Sequence, residues 1–448
     1  MFLSIITKKS VLSAVLVSAL LLGSYDYSEA KLFKIKAKPA EEKSVETAPA
    51  EEVALESAEA EKPVAVKAEK PKKAQKKTRK PSSKSEIKSN LAKESSRTEK
   101  IAASQNSAFD EYGIAVEERT FSKSSGDVPV HVLRVDLNRG AVIPKIVLAE
   151  ENKLGSKGTV TQICKNYDAV AGINGSFFDV KTYAAVGYLM IDGKAIQAPL
   201  IVKARTTFGI DSNNKVMIGK PKFRRRIRPE NDFFSMIDGI NKKCGFGEIV
   251  IYTEEYAKKV SIPDGGMGYI FDEAGVVTDV VKGSVKIPST GGLLAVSEGH
   301  IHRFKNTVPG TKILFTQSLM TPWDKVRDAF GSGMLLVTDG KVTFDQTREE
   351  VGKYLMGDAP RTAIGITPAN ELIMVVADGR GSGYRGVDFD EIAQIMVDCG
   401  CSDAIALDGG GSSTLVYKDE VLNTVSDKGG LRKVANALVL LKANKSVK

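Results

Sequence analysis

From about Phe109 onward, apolar residues recur mostly with the two-residue period of strands or in short unbroken runs. Val130–Leu137 and Ala141–Leu148 are rich in β-branched residues and are expected as strands. Asp192-Gly193 and Asp339-Gly340 each sit between apolar runs and predict two-residue hairpin turns. A helical period is clear in Lys157–Asn166 and Phe389–Val397. In the second, Phe389, Ile392, Ala393 and Met396 share a face, Asp388 is the expected N-cap with Glu391 three residues on, and Gly400 supplies the stop. Ala404 to Leu407 is an apolar run suited to a strand buried on both faces. The pattern predicts a mixed α/β (α+β) fold: one β-sheet-rich domain with few helices.

That last strand ends abruptly in Asp408, Gly409, Gly410, Gly411, Ser412, Ser413 and Thr414. Three successive glycines remove side chains and permit positive φ, so main-chain N–H groups can approach a ligand closely. A carboxylate at a strand tip, followed by exposed amides and hydroxyls, suits a polar or anionic ligand. A tight glycine turn between two strands accounts for the same residues without one. Two echoes point to pseudo-repeated halves. Ala204–Ile210 resembles Pro360–Ile366, and Asp168–Phe178 resembles Asp403–Gly410, with a helix before each of the latter pair. Related halves would bring Asn174, Arg205, Arg361 and Asp408 to one cleft.

The ends of the chain change the picture. Residues 1–30 read as a signal peptide: Lys8 and Lys9 precede the apolar stretch Val11–Leu22, and Ser28-Glu29-Ala30 offers a cleavage site. The expected location is secreted, periplasmic or cell-envelope, with an uncleaved anchor as the alternative. Residues 31–108 are rich in Lys, Glu, Ala and Pro and cannot bury enough apolar surface to fold, so they are expected as a disordered linker. They hold 19 Lys and Arg against 12 Glu, which is +7 of the chain's net +9. Nucleic acid is not the expected partner of such a tether in an exported protein. An anionic envelope polymer or a membrane surface is, unless the segment is a solvated spacer. The folded domain is then 109–448.

Cys164, Cys244, Cys399 and Cys401 are expected as buried thiols or one disulfide. They lack zinc-site spacing, and His131, His300 and His302 are remote in sequence from the glycine-rich segments, so no metal or cofactor is assigned. Gly381-Ser-Gly-Tyr-Arg-Gly386 matches a dinucleotide fingerprint in form only. The helix after it is capped by Asp388, with Asp390 adding negative charge where a pyrophosphate would sit. These glycines are better read as a loop beside Asp378 and Arg380.

Assembled, the motifs resemble the phosphodiester glycosidase family, that of the mannose-6-phosphate uncovering enzyme. The matching elements, in the family's order, are Asn174-Gly-Ser-Phe-Phe-Asp179, Arg205-Thr, Ile251-Tyr-Thr253, Arg361-Thr-Ala-Ile-Gly365, Asp378-Gly-Arg380, Glu391-Ile-Ala393, Leu407 to Ser413, and Arg432 with Asn436-Ala437. They span roughly Val130 to Leu441. The Arg224-Arg225-Arg226 region and the linker depart from the family pattern. The resemblance implies a catalytic domain of β-sheets with few helices, acting on a phosphodiester-linked glycan. A phosphate monoester is already a good leaving group, so such a site must chiefly activate water and hold the phosphate. Asp408 is the expected base or transition-state stabiliser, with Asp378 and Glu391 as second choices, Glu391 also being a helix cap. Arg361 and Arg205 are expected to grip the phosphate. Arg380, the amides of Gly409, Gly410 and Gly411, and the Ser412 and Ser413 hydroxyls complete an anion nest. Asn174 is expected on sugar hydroxyls or in its own turn, and Arg432 near the site. A non-catalytic module binding an envelope glycan is the competing class.

Overall fold

Strands that are apolar on both faces must be covered on both faces, and this chain covers them with a four-layer stack. The structure, a computed structural model, describes residues 108–199, 205–349 and 351–443. The expected signal segment 1–30, and all but the last residue of the expected linker 31–108, lie outside the described residues.

In chain order, β1 (Ile114–Phe121), β2 (Val128–Asp136) and β3 (Val142–Leu148) precede α1 (Val160–Asn166) and β4 (Ala169–Asn174). The middle of the chain supplies β5 (Thr206–Asp211), β6 (Phe223–Pro229), β7 (Ser235–Met236), β8 (Ile313–Leu319) and β9 (Val326–Thr338). Then come β10 (Arg361–Ile366), β11 (Glu371–Ala377), α2 (Phe389–Asp398), β12 (Asp403–Ala406), β13 (Leu415–Tyr417) and β14 (Asn436–Lys442). A large sheet runs β1-β2-β11-β10-β12-β9, antiparallel throughout this stretch. A second antiparallel sheet contains β13-β4-β14-β3.

The two sheets face each other. Ile364, Leu372, Met374, Val376 and Ile405 from the first meet Ile146, Ala171, Ile173, Leu438 and Leu440 from the second. On the far side of the large sheet, Ala363, Ile373, Val375, Ala404 and Ala406 pack on Phe389, Ile392, Ala393 and Met396 of α2. On the far side of the second sheet, Val147, Ala437 and Val439 pack on Val160, Ile163 and Cys164 of α1. Successive side chains of a strand point to opposite faces. β11 therefore needs apolar residues at every position, since Leu372, Met374 and Val376 serve one core and Ile373, Val375 and Ala377 the other.

The expected strands and both hairpin turns are present. Asp192 and Gly193 (φ 50° and 75°) and Asp339 and Gly340 (φ 50° and 72°) take the left-handed conformations that two-residue hairpins require. α2 is capped as expected, with Asp388 and Glu391 forming a reciprocal capping box. α1 starts at Val160 rather than Lys157, because Thr159 and Gln162 form a second capping box and fix the first turn there. The four cysteines are separate buried thiols. Burial pushes Cys164 and Cys244 up to about 12, so both stay protonated. Among the described residues, no helix is long and apolar enough to cross a membrane.

The buried face of β12 yields a stability test. Ile405 is 0 % exposed and lies between the two sheets. Ile405→Ala is expected to cost about 2–5 kcal/mol, read as a lower urea midpoint at unchanged m-value. A loss under about 1 kcal/mol would be incompatible with a close-packed inter-sheet core at this position.

Candidate active site

β12 belongs to the large sheet and β13 to the second, so the segment 407–414 must cross from one sheet to the other. Its path is fixed by bonds to both. Leu407 N donates to Thr362 O (2.9 Å), Asp408 N to Gly175 O (3.3 Å) and Gly410 N to Pro360 O (2.8 Å). Gly410 adopts φ 63°, a conformation that L side chains rarely take, and the turn Gly410–Ser412 follows.

Asn174, the last residue of β4, is completely buried beneath this crossover. Its Nδ2 donates to Asp408 O (2.6 Å), and its Oδ1 accepts from Thr414 N (3.1 Å) and Thr362 Oγ1 (3.0 Å). Thr362 Oγ1 also lies 3.0 Å from Ser413 Oγ. One amide thus ties together the ends of β4 and β10 and both flanks of the glycine run. The expected convergence of Asn174 and Asp408 is present, at the ends of the two strands that follow α1 and α2.

The Asp408 carboxyl is pushed up to about 6, chiefly by burial. The Ser412 hydroxyl, the Arg432 guanidinium and the Gly409 amide pull the other way. Ser412 Oγ is buried and has no ordinary hydrogen-bond partner among the described residues. Arg432 is held by a fork-to-carboxylate pair with Asp427, Nε to Oδ2 at 2.8 Å and Nη2 to Oδ1 at 3.0 Å. Arg380, half exposed, brings Nη1 to 3.7 Å from the same carboxylate. A Cβ on Gly411 would displace the Asp427 carboxylate and the Arg432 guanidinium from their present places. A Cβ on Gly410 would lie 3.2 Å from Arg380 Nη2. The glycine run, Arg380, Arg432 and Asp408 therefore form one cluster.

Other expected residues are placed differently. Arg361 is buried and spends its fork on main-chain carbonyls: Nε on Val387 O (3.1 Å), Nη2 on Leu355 O and Gly357 O (2.6 Å each). Its guanidinium also lies 3.9 Å from the centre of the Phe389 ring. Burial lowers it to about 10, while Asp388 and Asp358 hold it up, so it is cationic at neutral pH. It fastens the loop before β10 to the end of α2. Arg205 precedes β5, whose first residue, Thr206, is opposite Gly333 of β9, next to Met334, which is opposite Ala406 of β12. Thr206 lines a cavity of about 310 Å³ with Leu335, Thr338 and Asp403. Glu391 Oε2 accepts from Asp388 N (2.9 Å) and from Lys123 Nζ (2.6 Å), which occupies it as a helix cap. Lys123 also reaches Asp358 (3.1 Å), so an ammonium sits among the three carboxylates Asp358, Asp388 and Glu391.

Asp378 is buried and anchors the segment after β13 by accepting from Thr424 N (3.1 and 3.2 Å to its two oxygens). His131 Nε2 lies 3.3 Å from Asp378 Oδ2. His131 is thus beside a glycine-rich segment after all, because β2 pairs with β11 in the register that sets Val130 opposite Ala377. Asp427, Thr362 and Asn423 were not singled out by the sequence. Asn423 accepts from Leu415 N (2.8 Å) and donates to Ser413 O (3.1 Å), closing the turn beneath the arginines. Asp427 stands in a polar stretch before Gly429-Gly430, with no local pattern to mark it.

Parts of the chain are similar to known proteins. A family model described as "Phosphodiester glycosidase" matches residues 268–441. A prophage-derived uncharacterized protein of Bacillus subtilis is 32 % identical over 114 residues, which are 25 % of this chain and 17 % of that one. Human N-acetylglucosamine-1-phosphodiester alpha-N-acetylglucosaminidase is 29 % identical over 161 residues, covering 33 % of this chain and 30 % of the human enzyme. The similarity therefore spans under a third of either relative. Two crystal structures share the fold. A hypothetical protein from Synechocystis has a TM-score of 0.67 at 20 % identity, over 75 % of this chain and 63 % of its own. A protein from Burkholderia pseudomallei has 0.61 at 19 %, over 71 % and 75 %. The family match contains the whole crossover with Asp378, Arg380, Asp408 and Arg432, so the part of the chain that carries the site is similar to the phosphodiester glycosidase family.

Proposed function

We propose that the protein hydrolyses the bond between an anomeric carbon and a phosphate oxygen in glycosyl phosphodiesters. The observation that carries this reading is a half-buried carboxylate, Asp408, clustered with two guanidinium groups, Arg380 and Arg432, that share one counter-ion, Asp427. In the proposed reaction, Asp408 takes a proton from water as the water oxygen bonds to the anomeric carbon. The glycosidic C–O bond breaks, and the departing phosphate monoester keeps the bonding electron pair. Its charge is met by Arg380, Arg432, the amides of Gly409–Gly411 and the Ser412 and Ser413 hydroxyls. Arg361 is a positioning residue in this scheme, since its Nε and Nη2 are held by carbonyls. Asn174 holds the crossover rather than the sugar. Asp378 holds the segment that carries Asp427 and Arg432.

The proposed substrates are phosphodiester-linked glycans of a cell envelope or exopolysaccharide. N-acetylglucosamine is the proposed sugar, by analogy with the substrate named for the human relative. Export rests on the character of residues 1–30. The second reading, a glycan-binding module without turnover, explains the arginines and hydroxyls. It does not explain a carboxylate set beside an anion site, which repels the ligand it would hold.

Asp408 gives a pH test. Its folded pKa lies above the ordinary carboxylate range, and a base must be ionised to work. kcat/KM should therefore rise about tenfold per pH unit below about 6 and level off above it. Asp408→Asn is expected to lower turnover by about a hundredfold or more and to abolish that limb, while substrate binding survives. A folded variant turning over near the parent rate would move the base elsewhere. Parent protein that binds a glycosyl phosphate without releasing product would favour the binding module.

The arginines separate by role. Arg380→Ala and Arg432→Ala should each cut phosphodiester cleavage by about one to two powers of ten. Slow cleavage of an uncharged aryl glycoside should change much less. Arg361→Ala should instead lower stability by about 2–4 kcal/mol, because it leaves the carbonyls of Val387, Leu355 and Gly357 without their charged donor. It should also depress both substrates alike. If Arg361→Ala were as stable as the parent and selectively lost the charged substrate, the phosphate grip would return to Arg361.

A further inference from the structure

The three-stranded sheet β7-β6-β8 carries a face that the proposed reaction does not use. β6 reads Phe-Arg-Arg-Arg-Ile-Arg-Pro, and its alternation buries Ile227 and Pro229 while exposing Arg224, Arg226 and Arg228. Lys222, just before the strand, is exposed in the same alternation. Alternate residues of a strand are about 6.5 Å apart and point the same way, so these cations form a row. Among the described residues none of the four is in a salt bridge, whereas Arg225, on the other face, lies 3.9 Å from Asp238. The nearest acid along the alternation is Glu230, beyond the strand end.

Large apolar side chains stand on the same face. Met236 is directly opposite Arg226, and Leu314 is directly opposite Arg228, which in an antiparallel pair puts each on its partner's side. The Phe234 ring lies 5.8 Å from the Arg226 guanidinium. Phe233, Phe234 and Leu314 are 70 %, 57 % and 52 % exposed, unusual for residues of this kind standing together.

We propose that this face docks on an anionic lipid bilayer, with the row of arginines at the phosphates and Phe233, Phe234, Met236 and Leu314 entering the interfacial layer. The mixture decides between the two polyanions that would satisfy the charge. A soluble phosphate polymer neutralises the arginines but leaves the apolar side chains in water. A bilayer surface receives both, and aromatic residues with flanking arginines favour that interface. The Arg224-Arg225-Arg226 region, which departs from the family pattern, thereby gains a role separate from the chemistry at Asp408.

The test uses the full chain, so that any contribution from residues 31–108 is common to every sample. Binding is measured by co-sedimentation with vesicles of phosphatidylcholine alone and of phosphatidylcholine with about a third phosphatidylglycerol, a composition chosen for a strong surface potential. Two variants are compared with the parent: R224Q/R226Q/R228Q and F233S/F234S. The arginine variant should lose about a hundredfold in affinity for the anionic vesicles. The phenylalanine variant should lose about tenfold or more. Both should keep the parent's thermal midpoint and its turnover of a small soluble substrate. Unchanged vesicle binding in both variants would overturn the proposal. So would a loss confined to the arginine variant and matched by an equal loss of binding to soluble polyphosphate, which would make the face a polyanion site.

Discussion

One buried amide sets the geometry of this site. Asn174 has no exposure, and its two polar atoms bond the chain on both sides of the glycine run and the start of β10. A buried amide with unmet donors or acceptors is costly, so these three partners must be in place together or not at all. That requirement converts two sheets packed by non-directional hydrophobic contact into a fixed register at their shared edge. Asp408 inherits its position from that register. Its own side chain contributes little to holding it there.

Charge is arranged on top of this frame by residues far apart in sequence. Burial pushes Asp408 toward its neutral form, and Arg432 partly offsets that. Asp427 restrains both Arg432 and Arg380, so the two guanidinium groups are oriented while retaining donors for a ligand. Asp378 and Asn423 hold the segment that delivers Asp427 and Arg432. Lys123, in turn, neutralises the carboxylates around the α2 cap, on the side where Arg361 is buried. Cation and anion alternate through the whole region, and Asp408 is the carboxylate that burial shifts most toward the neutral form.

Much of the fold was legible because its signals are local. Both hairpin turns follow from an Asp-Gly pair, the α2 cap from Asp388 and Glu391, and the doubly buried strands from unbroken apolar runs. The end of β12 at Asp408 and its glycines was legible for the same reason: the composition changes abruptly within a few residues. The role of Arg361 was not legible. Position beside a matching motif says nothing about which way a guanidinium points, and here the loop carbonyls at 355, 357 and 387 claim it. Asp427 and His131 were invisible because their partners, Arg380 and Asp378, reach them only through tertiary structure or strand register. The echo between segments placed both copies at strand tips, as Asn174 and Asp408 are.

The loops around Asp408 are fastened in an unusual way. Arg361 grips carbonyls of the loop before β10, Asp378 accepts from the Thr424 amide, and Asn423 bonds the Leu415 amide and the Ser413 carbonyl. In each case a side chain rooted at a fixed point binds main chain rather than another side chain. Main chain is the same whatever residue carries it. The segments around Asp408 are therefore free to change sequence without losing their attachment, while the carboxylate and its frame stay constant.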